Sequence, residues 1–318
     1  MFFYAERPHG ILLNSLPPKI AMTGQFQSPL RYPGGKVSLA GLLEATIELN
    51  GVLGAPYFEP FAGGAGAALA LLKSGAVSEL RLNDLDARVY AFWRAALNQT
   101  SELIDRVAST TLSITEWSRQ REICRTPSRY SQIDVGFAAF YMNRCNRSGV
   151  LTGAGPIGGY SQKGKWQLDA RFDREELCKR IEWLGNNRSR ISISRMDAIE
   201  FLTESLPRGE LRSNCFVYLD PPYVVKGQRL YLNAYEMRDH RKLAAYLNRQ
   251  QKLKWFMSYD DTELIRRLYE HQDKSLLSID YKLNHKRSAN ELIITPRSVL
   301  TPECCKIAGK DRRLIAVA

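Results

Sequence analysis

The chain has 318 residues, with 45 Lys and Arg against 33 Asp and Glu, a formal net charge of +12. Hydrophobic residues make up 44% and charged residues 25%, a globular balance that excludes a disordered, collagen-like or coiled-coil chain. The length suits one large α/β domain with an insertion, or two domains. No apolar run approaches a membrane span and no secretory leader pattern opens the sequence, so a cytoplasmic location is expected.

Residues 1–24 hold Pro8, Pro17 and Pro18 and show no period. They are expected to be a poorly ordered extension, with Met22 as an alternative start. The turn Tyr32-Pro33-Gly34-Gly35 precedes a helical pattern from Lys36 to Leu49. Pro56–Glu59 predicts a short strand that runs into Pro60-Phe61-Ala62-Gly63-Gly64-Ala65-Gly66. An Ala- and Leu-rich helix follows to about Ser74, where Gly75 stops it. Leu80–Asn83 is the next strand, closed by Asp84, and a helix is expected over Asp86–Asn98. This order of strand, glycine turn, helix, strand and acid marks a parallel sheet that binds a nucleotide.

The rhythm then breaks. Residues 100–185 show helical stretches and a glycine-rich patch, Gly149–Gly164, with Trp166 just beyond. It resumes with strands at Ile191–Ser194, Cys215–Leu219, Trp255–Ser258, Leu276–Tyr281 and Glu291–Thr295. Helices fit over Glu236–Gln251 and Thr262–His271. The expected fold class is a doubly wound α/β sheet from residues 25–99 and 186–318, with a basic module inserted at 100–185. The charge is uneven: residues 115–190 carry 14 Lys and Arg against 8 Asp and Glu, and residues 282–313 carry 8 against 3. Two basic stretches that meet in one cleft would suit phosphate; a solvated face is the alternative. The six cysteines and four histidines form no CxxC, HExxH or zinc spacing, so no metal is expected.

Two turns carry chemistry. The glycines at 63, 64 and 66 let the backbone turn sharply and let a ligand approach the main chain. Asp84, 18 residues beyond Gly66, is placed to accept from ribose hydroxyls, or else to cap the next helix. Farther on, the apolar run Phe216–Leu219 leads directly into Asp220-Pro221-Pro222-Tyr223. Two prolines halt strand pairing and stiffen the loop. An acid and an aromatic then sit at the carboxyl end of a central strand, where open α/β sheets place their sites.

In these residues the chain resembles the amino-methylating DNA methyltransferases, specifically the adenine-N6 D12 class typified by DNA adenine methylase. The likeness rests on Arg31–Lys36, Phe58–Gly66, Asn83-Asp84 and Asp220–Tyr223, in that order. It implies a Rossmann-like methyltransferase sheet with an inserted, mainly helical target-recognition domain containing a β-hairpin. It implies S-adenosylmethionine as cofactor and duplex DNA as substrate, with no metal and no membrane. It also implies a prokaryotic or phage origin, with a partner nuclease or defence-system subunits as candidate partners.

Carried over residue by residue, the resemblance assigns Asp220, Pro221, Pro222 and Tyr223 to catalysis. The Asp220 carboxylate and the Pro221 carbonyl would accept hydrogen bonds from the adenine amino group, and Tyr223 would stack on a flipped base. Tyr32, Lys36, Glu59, Phe61, Gly63, Gly66, Asp84, Asp197 and Asp220 would line the cofactor pocket. There Lys36 would sit near the methionine end, and Glu59 would face the ammonium group or be a buried structural acid. Asp197 would accept from the cofactor's adenine, or cap a helix. Tyr141–Gly149 would be the DNA-contacting segment and the stretch ending Gly164-Lys165-Trp166 the hairpin. Arg144, Asn146, Arg147, Lys163 and Lys165 are then candidate DNA contacts, joined by Lys286 and Arg287 on a basic loop before the last strand. Methylation of RNA or of cytosine N4, and a non-catalytic DNA-binding subunit on the same fold, remain as alternatives. A dinucleotide-dependent oxidoreductase would leave the Asp-Pro-Pro-Tyr segment unexplained.

Overall fold

The computed structural model describes residues 28–31, 36–224, 235–283, 285–307 and 310–317. Tyr32 and its turn, and the expected extension over 1–24, lie outside the described residues.

Residues 36–39 form one 3-10 turn that leads into α1 (Ala40–Leu49). Then follow β1 (Ala55–Glu59), α2 (Gly66–Ser74), β2 (Val77–Asn83) and α3 (Ala87–Asn98). Four helices make up the excursion: α4 (Thr100–Ser109), α5 (Ile114–Arg125), α6 (Gln132–Cys145) and α7 (Arg174–Asn186). The chain returns through β3 (Ile191–Ser194), α8 (Ala198–Ser205), β4 (Phe216–Leu219), α9 (Met237–Leu247), β5 (Lys254–Asp260) and α10 (Glu263–Leu268). It ends with β6 (Asp273–Leu283), β7 (His285–Thr295), β8 (Cys304–Ile307), β9 (Lys310–Arg313) and β10 (Ile315–Ala316).

Eight strands form one sheet in the order β10-β6-β7-β5-β4-β1-β2-β3. From β3 to β5 all neighbours are parallel, and β7 enters antiparallel between β5 and β6. β4 is buried at every residue, as a central parallel strand covered on both faces must be. The chain winds outward from β1 through β2 to β3, then restarts at β4 on the other side. The order therefore switches between β1 and β4, and the carboxyl ends of those strands border a crevice.

Two apolar clusters cover the faces of the sheet. One holds α8, α9, α10 and the side chains of Val217, Trp255 and Met257. The other holds α1 to α3 together with the excursion. The excursion thus shares its core with the sheet. Phe92 of α3 stacks on Phe140 of α6 at 5.9 Å, and Phe172 meets Phe140 edge-on at 5.6 Å. Gly136 allows this close approach, because a Cβ there would lie 2.6 Å from the Ala91 carbonyl oxygen.

Two local expectations are corrected. No strand forms between α6 and α7 among the described residues; the expected hairpin is a series of turns with one isolated bridge, Asn146 to Pro156. Gly149, Gly153, Gly158, Gly159 and Gln162 all take positive φ, which breaks any ladder. Gln162 binds the turns instead: its amide donates to Ile157 O and Gly159 O, and its Oε1 accepts from Leu168 N. The second correction concerns Lys282–Arg287. This segment is not a loop but the tip of the β6–β7 hairpin, where Lys282 pairs with Lys286 and Tyr281 with Arg287.

Candidate active site

The crevice is built from strand ends. After β1 the backbone turns at positive φ at Gly63 (+47°) and Ala65 (+46°). Gly63 donates its N–H to Asp84 Oδ2 at 2.8 Å and accepts from Trp93 Nε1 at 2.9 Å. The turn is thereby tied to the end of β2 and to α3. A Cβ on Gly66 would lie 2.3 Å from Val37 Cγ2, so glycine lets the turn that carries Lys36 pack on the start of α2. Buried Asn83 closes the set. Its amide donates to Pro60 O and Met196 O, and its Oδ1 accepts from Met196 N. One side chain thus joins the loops after β1, β2 and β3.

Several acids line this region. Asp84 is not the cap of α3; that is Asp86, which accepts from Arg88 N. Asp84 accepts from Gly63 N and from Asp86 N at 2.9 Å. Burial, reinforced by the charge of Asp86, pushes its carboxyl up to about 7 against those two donors. Glu59 is buried and accepts from the Tyr57 hydroxyl at 3.0 Å. Burial drives its pKa well up; the Tyr57 bond opposes this, while Asp220 and Asp84 add to it. Asp197 is exposed and caps α8, accepting from Ile199 N and Glu200 N. Phe61, half-buried, meets Tyr235 edge-on at 5.5 Å.

The Asp-Pro-Pro-Tyr loop leaves β4 beside these acids and is held from three sides. Asp220 Oδ1 accepts from Ser258 Oγ of β5 and lies 3.1 Å from the Lys36 ammonium. Among the described residues nothing donates to Asp220 Oδ2, and the side chain is 24% exposed. One oxygen is therefore fixed by two described partners. Burial raises the Asp220 pKa, chiefly opposed by Lys36. Lys36 also donates to the Tyr223 hydroxyl at 2.6 Å, and Tyr223 donates in turn to Glu291 Oε2. Asp260 Oδ1 accepts from Val224 N at 3.1 Å and pins the next residue of the loop. Pro221 is buried and Pro222 half-buried. The Tyr223 hydroxyl is engaged, so its ring is what it can offer to a planar ligand.

Sequence reasoning missed Glu291, Ser258 and Asp260. The only signal was a polar residue at the head of, or inside, an apolar strand: Glu-Leu-Ile-Ile and Phe-Met-Ser-Tyr-Asp.

The candidate DNA contacts divide. Arg144 and Asn146 are buried, which corrects their assignment to a DNA surface. Arg144 donates to Pro29 O, and to Ser28 O at 3.1 Å. Burial, with Arg180, Arg31 and Arg171 nearby, lowers its pKa to about 9. Asn146 accepts from Trp117 Nε1 at 2.7 Å and donates to Val150 O. Asn143, part of the segment expected to contact DNA, is buried as well; it accepts from Arg31 N and donates to Arg31 O, both at 2.6 Å, and also donates to Gly149 O. The end of α6 therefore clamps residues 28–31, just ahead of the turn that carries Lys36. Arg147, Lys163 and Lys165 are exposed. Trp166 and Tyr160 stand beside them at 64% and 62% exposure, more than large aromatics usually show. Lys165 lies over the Trp166 ring, and Tyr160 meets Trp117 edge-on. Lys286 and Arg287 are on the β7 backbone, and their side chains lie outside the description.

The description D12 class N6 adenine-specific DNA methyltransferase belongs to a family model that matches residues 32–284. The chain belongs to this family. The sheet described above is accordingly the Rossmann-like methyltransferase fold, and the methyltransferase carries its Gly turn and Asp-Pro-Pro-Tyr loop within the matched span. No curated protein sequence matches the methyltransferase. Among solved structures, the rRNA methyltransferase aviRa from Streptomyces viridochromogenes is similar over 84% of this chain and 86% of that one. The two are 14% identical, with a TM-score of 0.32. Among the described residues no group of three or more His, Cys, Asp or Glu could hold a metal, and no helix is long and apolar enough to cross a membrane.

Proposed function

We propose that the methyltransferase moves a methyl group from S-adenosylmethionine to N6 of an adenine turned out of duplex DNA, with Asp220 and Pro221 as the amino-group acceptors. The observation that carries this reading is the division of labour on Asp220: Oδ1 is bound by Lys36 and Ser258, and Oδ2 faces no donor among the described residues. An exocyclic adenine nitrogen is a weak nucleophile because its lone pair is delocalised into the ring. Acceptors at Asp220 Oδ2 and Pro221 O would draw on its N–H bonds and favour a pyramidal nitrogen. Positioning then supplies most of the acceleration. The Tyr223 ring, fixed through its hydroxyl, would stack on the extruded base.

The residues present fit the cofactor. The crevice joins a turn with a positive-φ glycine, the acids Glu59, Asp84 and Asp197, and the Phe61–Tyr235 pair. Together these suit ribose hydroxyls, a purine and positive charge. Bound S-adenosylmethionine supplies an electrophilic methyl on a sulfonium. Asp84 would hold the ribose, Phe61 and Asp197 the adenine, Glu59 and Lys36 the methionine end. Arg147, Lys163 and Lys165 would meet phosphates, and the inserted helices with their turns would form the target-recognition unit. Cytoplasmic location and service beside a nuclease belong to this same reading.

Incubation with labelled S-adenosylmethionine and varied duplex DNA, followed by nucleoside mass spectrometry, tests the whole reading. N6-methyladenine is the expected product; N4-methylcytosine, methylated RNA alone, or no product would contradict it.

Two predictions arise from the acids. Ribose hydroxyls need the Asp84 carboxylate, so cofactor affinity should fall as the pH drops through about 7, by up to about tenfold per pH unit. Calorimetry at pH 6 and pH 8 measures this, and Asp84→Asn should flatten the dependence. The sign for folding is opposite. Between its ordinary 3.8 and about 7 the native Asp84 keeps a proton that the unfolded chain has lost, so its contribution to stability declines as pH rises across that window. Glu59→Gln keeps an oxygen for the Tyr57 hydroxyl and removes an acid that burial makes costly to ionise, so the Tm at neutral pH should hold or rise. Cofactor affinity should nevertheless drop. An unchanged affinity would leave Glu59 as a structural acid only.

A further inference from the structure

Glu291 is 2% exposed, and nothing in the preceding reading uses it. It heads the apolar run of β7, directly across from Asp260 of β5. A carboxylate rarely survives such burial without close partners. Here it has two that belong to the reacting corner. The Lys36 ammonium lies 3.7 Å from Oε2, and the Tyr223 hydroxyl donates to the same oxygen. Lys36 is itself 7% exposed and reaches Asp220 Oδ1 at 3.1 Å. One ammonium thus stands between two carboxylates, with a phenol hydroxyl bridging the ammonium to the second acid.

We infer that Glu291 is a positioning residue for methyl transfer: it anchors Lys36 and Tyr223 so that Lys36 occupies only one oxygen of Asp220 and the Tyr223 ring keeps a fixed plane. The inference rests on the proposed role of Asp220 as acceptor. Without a second acid, Lys36 would close fully onto Asp220 and compete with the substrate amino group for its oxygens. With it, the ammonium is held back by a partner on another strand. The geometry is supported by charge coupling. Burial raises the Asp220 pKa, Lys36 lowers it and Glu291 raises it again. Among the described residues, Glu59 and Tyr57 from β1, Tyr218 from β4 and Tyr259 from β5 also face Asp220.

The test is Glu291→Gln in the full chain, with S-adenosylmethionine and duplex DNA under single-turnover conditions. Gln keeps the shape and an oxygen for the Tyr223 hydroxyl but removes the charge. The transfer rate should fall about ten- to hundredfold, while the KM for DNA changes little. The acidic limb of the pH–rate profile should move to lower pH, because the repulsion that raises Asp220 is gone. Lys36→Gln should move the limb of its residual activity the opposite way. A lowered rate with an unmoved limb would make Glu291 a packing residue and overturn the inference; so would an unchanged rate. Tyr223→Phe, which keeps the ring and cuts the bridge, serves if Glu291→Gln does not fold, and a wild-type rate in that variant would equally overturn it. Asp220→Ala run in parallel separates the two claims. If Asp220→Ala is inactive while Glu291→Gln matches wild type, only this inference fails. If Asp220→Ala stays active, the reading of the site fails instead.

Discussion

Asp220→Ala is expected to cut single-turnover methyl transfer by about a thousandfold or more, in line with the loss of a positioned proton acceptor together with its electrostatic support. Ala removes the acceptor for the substrate amino group. It also takes one partner each from the Lys36 ammonium, which keeps Tyr223 and Glu291, and from the Ser258 hydroxyl, which keeps Tyr218. The fold should persist, because Asp220 stands at the end of β4 with a quarter of its side chain exposed, outside both apolar clusters. Circular dichroism and cofactor calorimetry would separate lost chemistry from lost structure. Asp220→Asn keeps one acceptor oxygen and should retain more activity than Ala. Activity of Asp220→Ala within tenfold of wild type would contradict the assigned role.

Asn143→Ala should have the second largest effect, at a distance from the reacting atoms. Asn143 is fully buried and closes a two-way hydrogen bond with the backbone of Arg31. It also holds Gly149, whose φ of +74° brings it so close to the Arg31 carbonyl that a Cβ would lie 2.4 Å away. Truncation leaves the buried Gly149 carbonyl and the part-buried Arg31 N–H and carbonyl without this partner, at about 1–3 kcal/mol for each fully buried group. Denaturant unfolding should show a loss of about 2–4 kcal/mol. Residues 28–31 lead into the turn that carries Lys36, so activity should fall further than stability alone explains. Activity that tracks the folded fraction across a denaturant series would refute the link to Lys36.

The sites best legible in the sequence were those written in consecutive residues. The glycine turn after β1 and the Asp-Pro-Pro-Tyr loop after β4 each combine a backbone demand with a side-chain demand in one short stretch. Glycine supplies a positive φ at 63 and a close approach to Val37 at 66, and β4 ends at Leu219 just ahead of the prolines at 221 and 222. Partners contributed from far along the chain were not legible. Tyr223 and Glu291 are 68 residues apart, Lys36 and Tyr223 187, and Asn143 and Arg31 112. Arg144 and Asn146 misled for a related reason. Arg and Asn in a basic, family-like segment resemble a nucleic-acid surface, yet their hydrogen-bonding groups are taken up by Pro29, Trp117 and Val150. The hairpin expected over the glycine patch failed because positive φ at four glycines and Gln162 turns the chain too often for strand pairing. The β8–β9 pair and β10 are strands of two to four residues, too short to carry a periodic signal.

The most direct measurement is a structure of the methyltransferase with a cofactor analogue and duplex DNA. One adenine is expected outside the duplex, its amino group within hydrogen-bond distance of Asp220 Oδ2 and Pro221 O, and its ring on Tyr223. An adenine amino group held elsewhere, with Asp220 closed onto Lys36 through both oxygens, would contradict it.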